Sequence, residues 1–119
     1  MQATGSVGPE EAGMPVTTEK RKPVVHQVKS WPHLFEATLS GVKTHDMRRV
    51  ADRDYQVNDV LCLQEFDPST ETYSGRELAV RITYITSAEF PCALSGGGLH
   101  EDYCILSIKP LTEDVKWHA

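Results

Sequence analysis

Residues 77–86 read Glu-Leu-Ala-Val-Arg-Ile-Thr-Tyr-Ile-Thr, and no other run constrains the fold as much. On an extended backbone Leu78, Val80, Ile82 and Tyr84 share one face, with Ala79, Arg81, Thr83 and Ile85 on the other. A side-chain period of two, rich in β-branched residues, is the pattern of a half-buried strand and not of a helix. Upstream, Val60 to Phe66 is apolar enough at its start for a strand covered on both faces. Asp67-Pro68-Ser69-Thr70 and then Ser74-Gly75 punctuate the stretch between them, so the two runs are expected to form a hairpin. An isolated hairpin is not stable in water, and further strands have to cover its apolar face.

Those strands are readable on either side. Val24 to Lys29 is β-branched and partly alternating, which gives a first strand. Ser30 then precedes Trp31-Pro32, an N-cap followed by a proline in the first helical turn. The helix is expected to run to Leu39 with Leu34, Phe35 and Leu39 as its apolar stripe, and Gly41 suits the left-handed residue that closes it. Thr44 to Arg49 reads as a short second strand. Asn58, in the turn-rich stretch before Val60, tolerates positive φ. Ser87 to Glu101, with Gly96-Gly97-Gly98, is a loop, Asp102 to Lys109 is the last core strand, and the chain is expected to fray from Pro110. One or two helices with about five strands, without strand–helix alternation, predict a mainly β (α+β) fold, a small closed or nearly closed barrel.

Composition narrows what such a barrel can do. The chain has 119 residues, enough for one domain, with 12 Lys and Arg against 17 Asp and Glu and a net charge of −5. Bulk electrostatic coating of nucleic acid or of an acidic membrane is excluded by that sign. No apolar run approaches the roughly 18 residues of a membrane span, and the first residues lack a secretory pattern. Cys62, Cys92 and Cys104 are odd in number and widely spaced, which argues against a disulfide framework or a cysteine-rich zinc site. A cytoplasmic protein is expected, without membrane attachment. Residues 1–23 are rich in Gly and Pro, end in the basic run Lys20-Arg21-Lys22, and read as a disordered tail with a solvated linker. The domain is then 24–111, with 112–119 as a C-terminal extension.

The common catalytic signatures are missing: there is no phosphate loop of the Walker type, no H-E-x-x-H, no G-x-S-x-G and no EF-hand loop. His26, His33, His45, His100 and His118 lack metal-ligand spacing, so neither a metal nor a cofactor is expected. The segment from Lys43 to Arg53 stands apart, carrying four bases against two acids within an acidic domain. Strand alternation puts Thr44, Asp46 and Arg48 on one face and His45, Met47 and Arg49 on the other. A carboxylate held by a guanidinium is a good acceptor for base-edge N–H groups, and adjacent cations suit phosphate. The same residues equally make an ordinary salt-bridged strand.

The string H-Q-V-K-S-W-P-H-L-F-E-A-T-L-S-G-V-K-T-H-D-M-R-R resembles the opening of an ASCH-type domain of the PUA-like superfamily, where a helix ends in G-x-K-T before a strand reading x-E-x-R. D-R-D-Y-Q-V-N-D-V-L-C-L-Q-E-F-D-P, Y-S-G-R-E-L-A-V-R-I-T-Y-I-T and E-D-Y-C-I-L-S-I-K-P are similar to an uncharacterised bacterial and phage branch of it. The likeness spans Val24 to Leu111 and implies a small β-barrel with a cleft beside G-x-K-T, in a superfamily whose members bind RNA or modified bases. Two positions depart from the pattern: Asp46 replaces the usual Glu, and Asn58 replaces the Gly of V-G-D. An acetylcytidine amidohydrolase of the superfamily uses a lysine and a threonine in this segment; Lys43 matches the lysine, and Asp46 stands at the threonine.

The expected function is therefore recognition of nucleic acid (RNA above all) or of a modified nucleotide. Lys43, Thr44 and Arg48 would hold phosphate or base acceptors, Asp46 would accept from an amine, and Arg49 and Arg53 would be outer phosphate contacts. Trp31 and Tyr55 would stack on a base, Tyr55 being the more exposed and Trp31 otherwise a core anchor. The competing class is a small hydrolase of modified nucleosides or RNA working through Lys43 and Asp46. An adaptor binding another protein at the barrel edge is the third.

Overall fold

The computed structural model describes residues 21–111 and the strand Lys116–Trp117. The expectations for residues 1–20, and for 112–115 and 118–119, lie outside the described residues. In chain order the elements are β1 (Val25–Ser30), α1 (Pro32–Leu39), β2 (His45–Arg49), β3 (Val60–Asp67), β4 (Thr72–Ser87), β5 (Tyr103–Pro110) and β6 (Lys116–Trp117). The fold is mostly β with one short helix, as the alternation predicts; no second helix occurs among the described residues.

The strands form one mixed sheet in the order β1-β3-β4-β5-β2. β1 runs parallel to β3 and every other pair is antiparallel. The sheet curls into a half-barrel around Phe35, Leu61, Leu63, Leu78, Val80, Ile82 and Leu106, all at most 1% exposed. Burial of this cluster is the main stabilising term, since each such side chain contributes about 1.5–3 kcal/mol. β3 is not covered on both faces: Leu61, Leu63 and Glu65 point inward while Cys62 and Gln64 stay partly exposed. β6 pairs with Arg76 and Glu77 on the side of β4 that β5 covers further along, so the end expected to fray bears a short strand.

Two bulges produce the curl, because extra residues on one strand bend and twist it. One replaces the turn expected at Ser74-Gly75. β4 begins at Thr72, directly after a turn in which Glu71 N donates to Asp67 O (2.7 Å). The register then jumps from Phe66↔Tyr73 to Gln64↔Glu77, with Gly75 at φ +97°. The bulge lets Ser74 and Arg76 both reach buried Glu65, at 2.7 and 2.9 Å. Those donors, Arg76 foremost and against the effect of burial, lower the Glu65 pKa. Arg76 also pairs with Glu36 and lies over the Phe35 ring, which fastens the helix to β4. The second bulge falls between Ile82 and Tyr84. It reverses the alternation, so that Ile85 is buried and Tyr84 is exposed, opposite to the regular pattern.

α1 starts and stops as its proline and glycine dictate, but its cap differs from expectation. Ser30 is the last residue of β1, buried and opposite Glu65, and Trp31 is the N-cap without a side-chain cap bond. A residue preceding proline is driven to extended geometry, here φ −63° and ψ 151°, and Pro32 has no N–H to cap. At the other end Gly41 takes φ +89°, where a β-carbon is disfavoured, and Lys43 N donates to Ala37 O (3.0 Å).

Asp59, 1% exposed, ties the entry of β3 to the N-terminal segment. Its carboxylate accepts two bonds from Arg21 (2.9 Å each), one from His26 Nε2 (2.8 Å), and the backbone N–H groups of Val24 (3.2 Å) and Gln56 (3.0 Å). Burial alone would favour its neutral form, but these donors outweigh it and hold the pKa at about 2. Arg21 therefore does not belong to a solvated linker. It is drawn in because a buried carboxylate with spare lone pairs needs a charged donor. Asn58, one residue earlier, adopts the expected positive φ (+82°).

Candidate functional site

β1 and β2 are the two edges of the sheet, and no backbone bonds join them. Carbonyl groups on the free edge of β1 need donors from elsewhere. Two arginines supply them: Arg48 Nη2 donates to Lys29 O (2.8 Å), and Arg53 Nη2 donates to Gln27 O (3.0 Å). Side chains thus span a gap that a closed barrel would fill with strand pairing. The gap holds a hollow of about 650 Å³, within the range of small-molecule sites.

Alternation along β2 sets what faces it. Asp46 points inward and is 8% exposed, and Arg48 Nε donates to its Oδ2 at 2.5 Å. Lys43, anchored to the helix end, brings Nζ to 3.5 Å from Asp46 Oδ1 and also to His45 O. The ammonium, carboxylate and guanidinium therefore converge, with only Asp46 and Arg48 lining the hollow. Lys43 stands behind Asp46, off the lining. Thr44 is exposed off the lining, its carbonyl accepting from Ile108 N (3.1 Å). Arg49 is on the opposite face, 5.2 Å from the Tyr103 ring centroid, because alternation carries it away from Arg48.

The two aromatic candidates exchange roles. Trp31 is 40% exposed and lines the hollow, since Pro32 holds it extended ahead of the helix and away from the core. Tyr55 lines the hollow too but is half-buried, its ring 4.9 Å from that of His26, because the Asp59 network draws its loop inward. Burial pushes its phenol pKa up, and Arg48 and Arg53 partly offset this. Sequence reasoning missed Lys29, Gln64 and Tyr73 on the far wall. Lys29 was findable, being an outward residue of β1 two places before Trp31. Tyr73 was not, because a bulge sets its register. The charged residues of the lining are Lys29, Arg48 and Arg53 against Asp46 and Asp52, a local positive excess in a chain of net charge −5.

Among the described residues no cluster of His, Cys, Asp and Glu could hold a metal ion, and no helix is long and apolar enough to cross a membrane. Fold and hollow together define a small open half-barrel whose edges are bridged by arginines across a polar cleft. The chain belongs to the family described as Domain of unknown function (DUF3850), whose model matches residues 25–108 and so takes in the whole lining of the hollow. No curated protein matches it.

Proposed function

We propose that the hollow between β1 and β2 recognises a base of RNA or of a modified nucleotide, in a domain related to the ASCH type of the PUA-like superfamily. One observation carries this reading: an accessible indole, Trp31, shares the hollow with a carboxylate–guanidinium pair, Asp46 and Arg48. The ring offers a stacking surface, Asp46 accepts from an exocyclic amine or ring N–H, and Arg48 and Arg53 face phosphate. The G-x-K-T and x-D-x-R strings to which the resemblance attaches meet at this edge of the sheet, which supports the same reading. A hydrolytic role for Lys43 and Asp46 has less support, since Lys43 lies off the lining and is engaged by Asp46 and His45. Cys92 and Cys104 are free thiols, which supports a cytoplasmic location.

The test is a fluorescence titration of the full chain in a Trp117→Phe background, so that Trp31 alone reports, against nucleoside monophosphates, modified nucleosides and single-stranded RNA. Quenching is expected, with affinity falling at least about fivefold in Asp46→Asn and Arg48→Ala when each is titrated well below its own melting temperature. The salt slope should correspond to one or two phosphates. Absence of binding at millimolar ligand, or binding indifferent to both substitutions, refutes the reading. Acid release from acylated nucleosides that is lost in Lys43→Ala would establish the hydrolase instead.

A further inference from the structure

The hollow does not end at the arginines. Its far wall passes over the outward side of β1 and β3, by Lys29 and Gln64, to Tyr73. There a smaller hollow of about 170 Å³ shares Gln64 and Tyr73 and continues to Gly75 and Arg76. Three rings follow this line. Trp31 and Phe66 have centroids 6.1 Å apart, and Phe66 and Tyr73 4.8 Å apart. Tyr73 is 53% exposed, and Lys29 Nζ is held 4.3 Å from the Phe66 centroid.

We infer that this shelf is a track for a short single strand of nucleic acid, extending the site from the hollow across the outer face of β1, β3 and β4. The inference rests on the proposed reading of the hollow. Every base has a π face, so the two exposed rings, Trp31 and Tyr73, can each hold a base with little regard to sequence, while Phe66, partly buried between them beneath Lys29, props both. Lys29 supplies the cation for the intervening phosphate. The carboxylate of this face is engaged, Glu77 accepting from Gln64 (2.9 Å), and Arg76 at its end is held by Glu36 and by the inward-facing Glu65. An extended peptide fits less well. Strand addition needs the edge carbonyls of β1, and those of Gln27 and Lys29 already accept from Arg53 and Arg48.

The test compares uridine and cytidine monophosphates with oligouridylate and oligocytidylate of two, three and six nucleotides on the full chain. Affinity should rise to about three nucleotides and then level off. The ratio of trimer to monophosphate affinity should fall at least about fivefold in Tyr73→Ala, recover in Tyr73→Phe, and lose about one unit of salt slope in Lys29→Ala. Monophosphates that bind while longer strands gain nothing would overturn the track and leave the hollow standing. A length gain that survives Tyr73→Ala would also overturn it. Failure of monophosphates and oligonucleotides alike would overturn the track together with the reading beneath it.

Discussion

Asp59→Asn isolates the charge of one buried carboxylate from its shape. Five hydrogen bonds end on the Asp59 side chain, from Arg21, His26, Val24 and Gln56. An amide has one oxygen, so its NH₂ must face donors that previously met an acceptor. The pKa gives the magnitude: a fall from 3.8 to about 2 means that neutralising Asp59 in the folded chain costs about 2 kcal/mol. The mismatched donors add to this, so a loss of about 2–4 kcal/mol is expected, or roughly 10–20 °C in Tm for a domain of this size. The pH dependence carries the diagnostic sign. Because the folded pKa lies below the unfolded one, the stabilisation is complete above the unfolded pKa and disappears as pH falls through about 2. Thermal and urea melts of both chains should therefore differ by the full amount at pH 7, with the gap closing between about pH 4 and pH 2. Arg21→Ala leaves His26 and two backbone N–H groups in place and should lose less than Asp59→Asn. A substituted chain melting within 2 °C of the parent at pH 7, or a gap unchanged by acid, would refute the account.

Two further outcomes test the fold around the site. Gly75→Ala places a β-carbon at φ +97°, so about 1–2 kcal/mol should be lost, and melts matching the parent would show that the bulge does not need this backbone. Cys92 is exposed whereas Cys104 is 3% exposed with its thiol pKa raised by burial, so a thiol reagent should label Cys92 rapidly and Cys104 only on unfolding. Equal native rates would contradict the placement of β5.

Elements whose determinants are local were legible from the chain. Leu78, Val80 and Ile82 announce the central strand, Pro32 and Gly41 bracket the helix, and alternation through Asp46 and Arg48 assigns them one face. What escaped depends on bulges and on edges meeting across space. Tyr84 and Ile85 exchange faces because a bulge intervenes, and Ser74-Gly75 looks like a turn because a bulge and a turn ask the same backbone freedom of glycine. Asp59 lies in a turn-rich segment where nothing local says that a carboxylate will be buried. Its donors come from as far as 38 residues away.

The arginines show how far such a reading can go. Arg48 and Arg53 were expected to meet phosphate, and in the structure both hold carbonyls of β1. The two roles are compatible because a guanidinium has five N–H donors in a fixed fork. Arg48 gives Nε to Asp46 and Nη2 to Lys29 O, with Nη1 still to give among the described residues, and Arg53 uses Nη2 for Gln27 O. Lysines at these positions would have to choose between the strand edge and a ligand. Two arginines can keep the half-barrel from gaping and face into the hollow at once, so the failure of the sheet to close is what opens the hollow. That coupling predicts a sharper loss of ligand binding from Arg48→Lys than the preserved charge would suggest. Binding equal to the parent, measured by Trp31 quenching, would show that charge alone suffices.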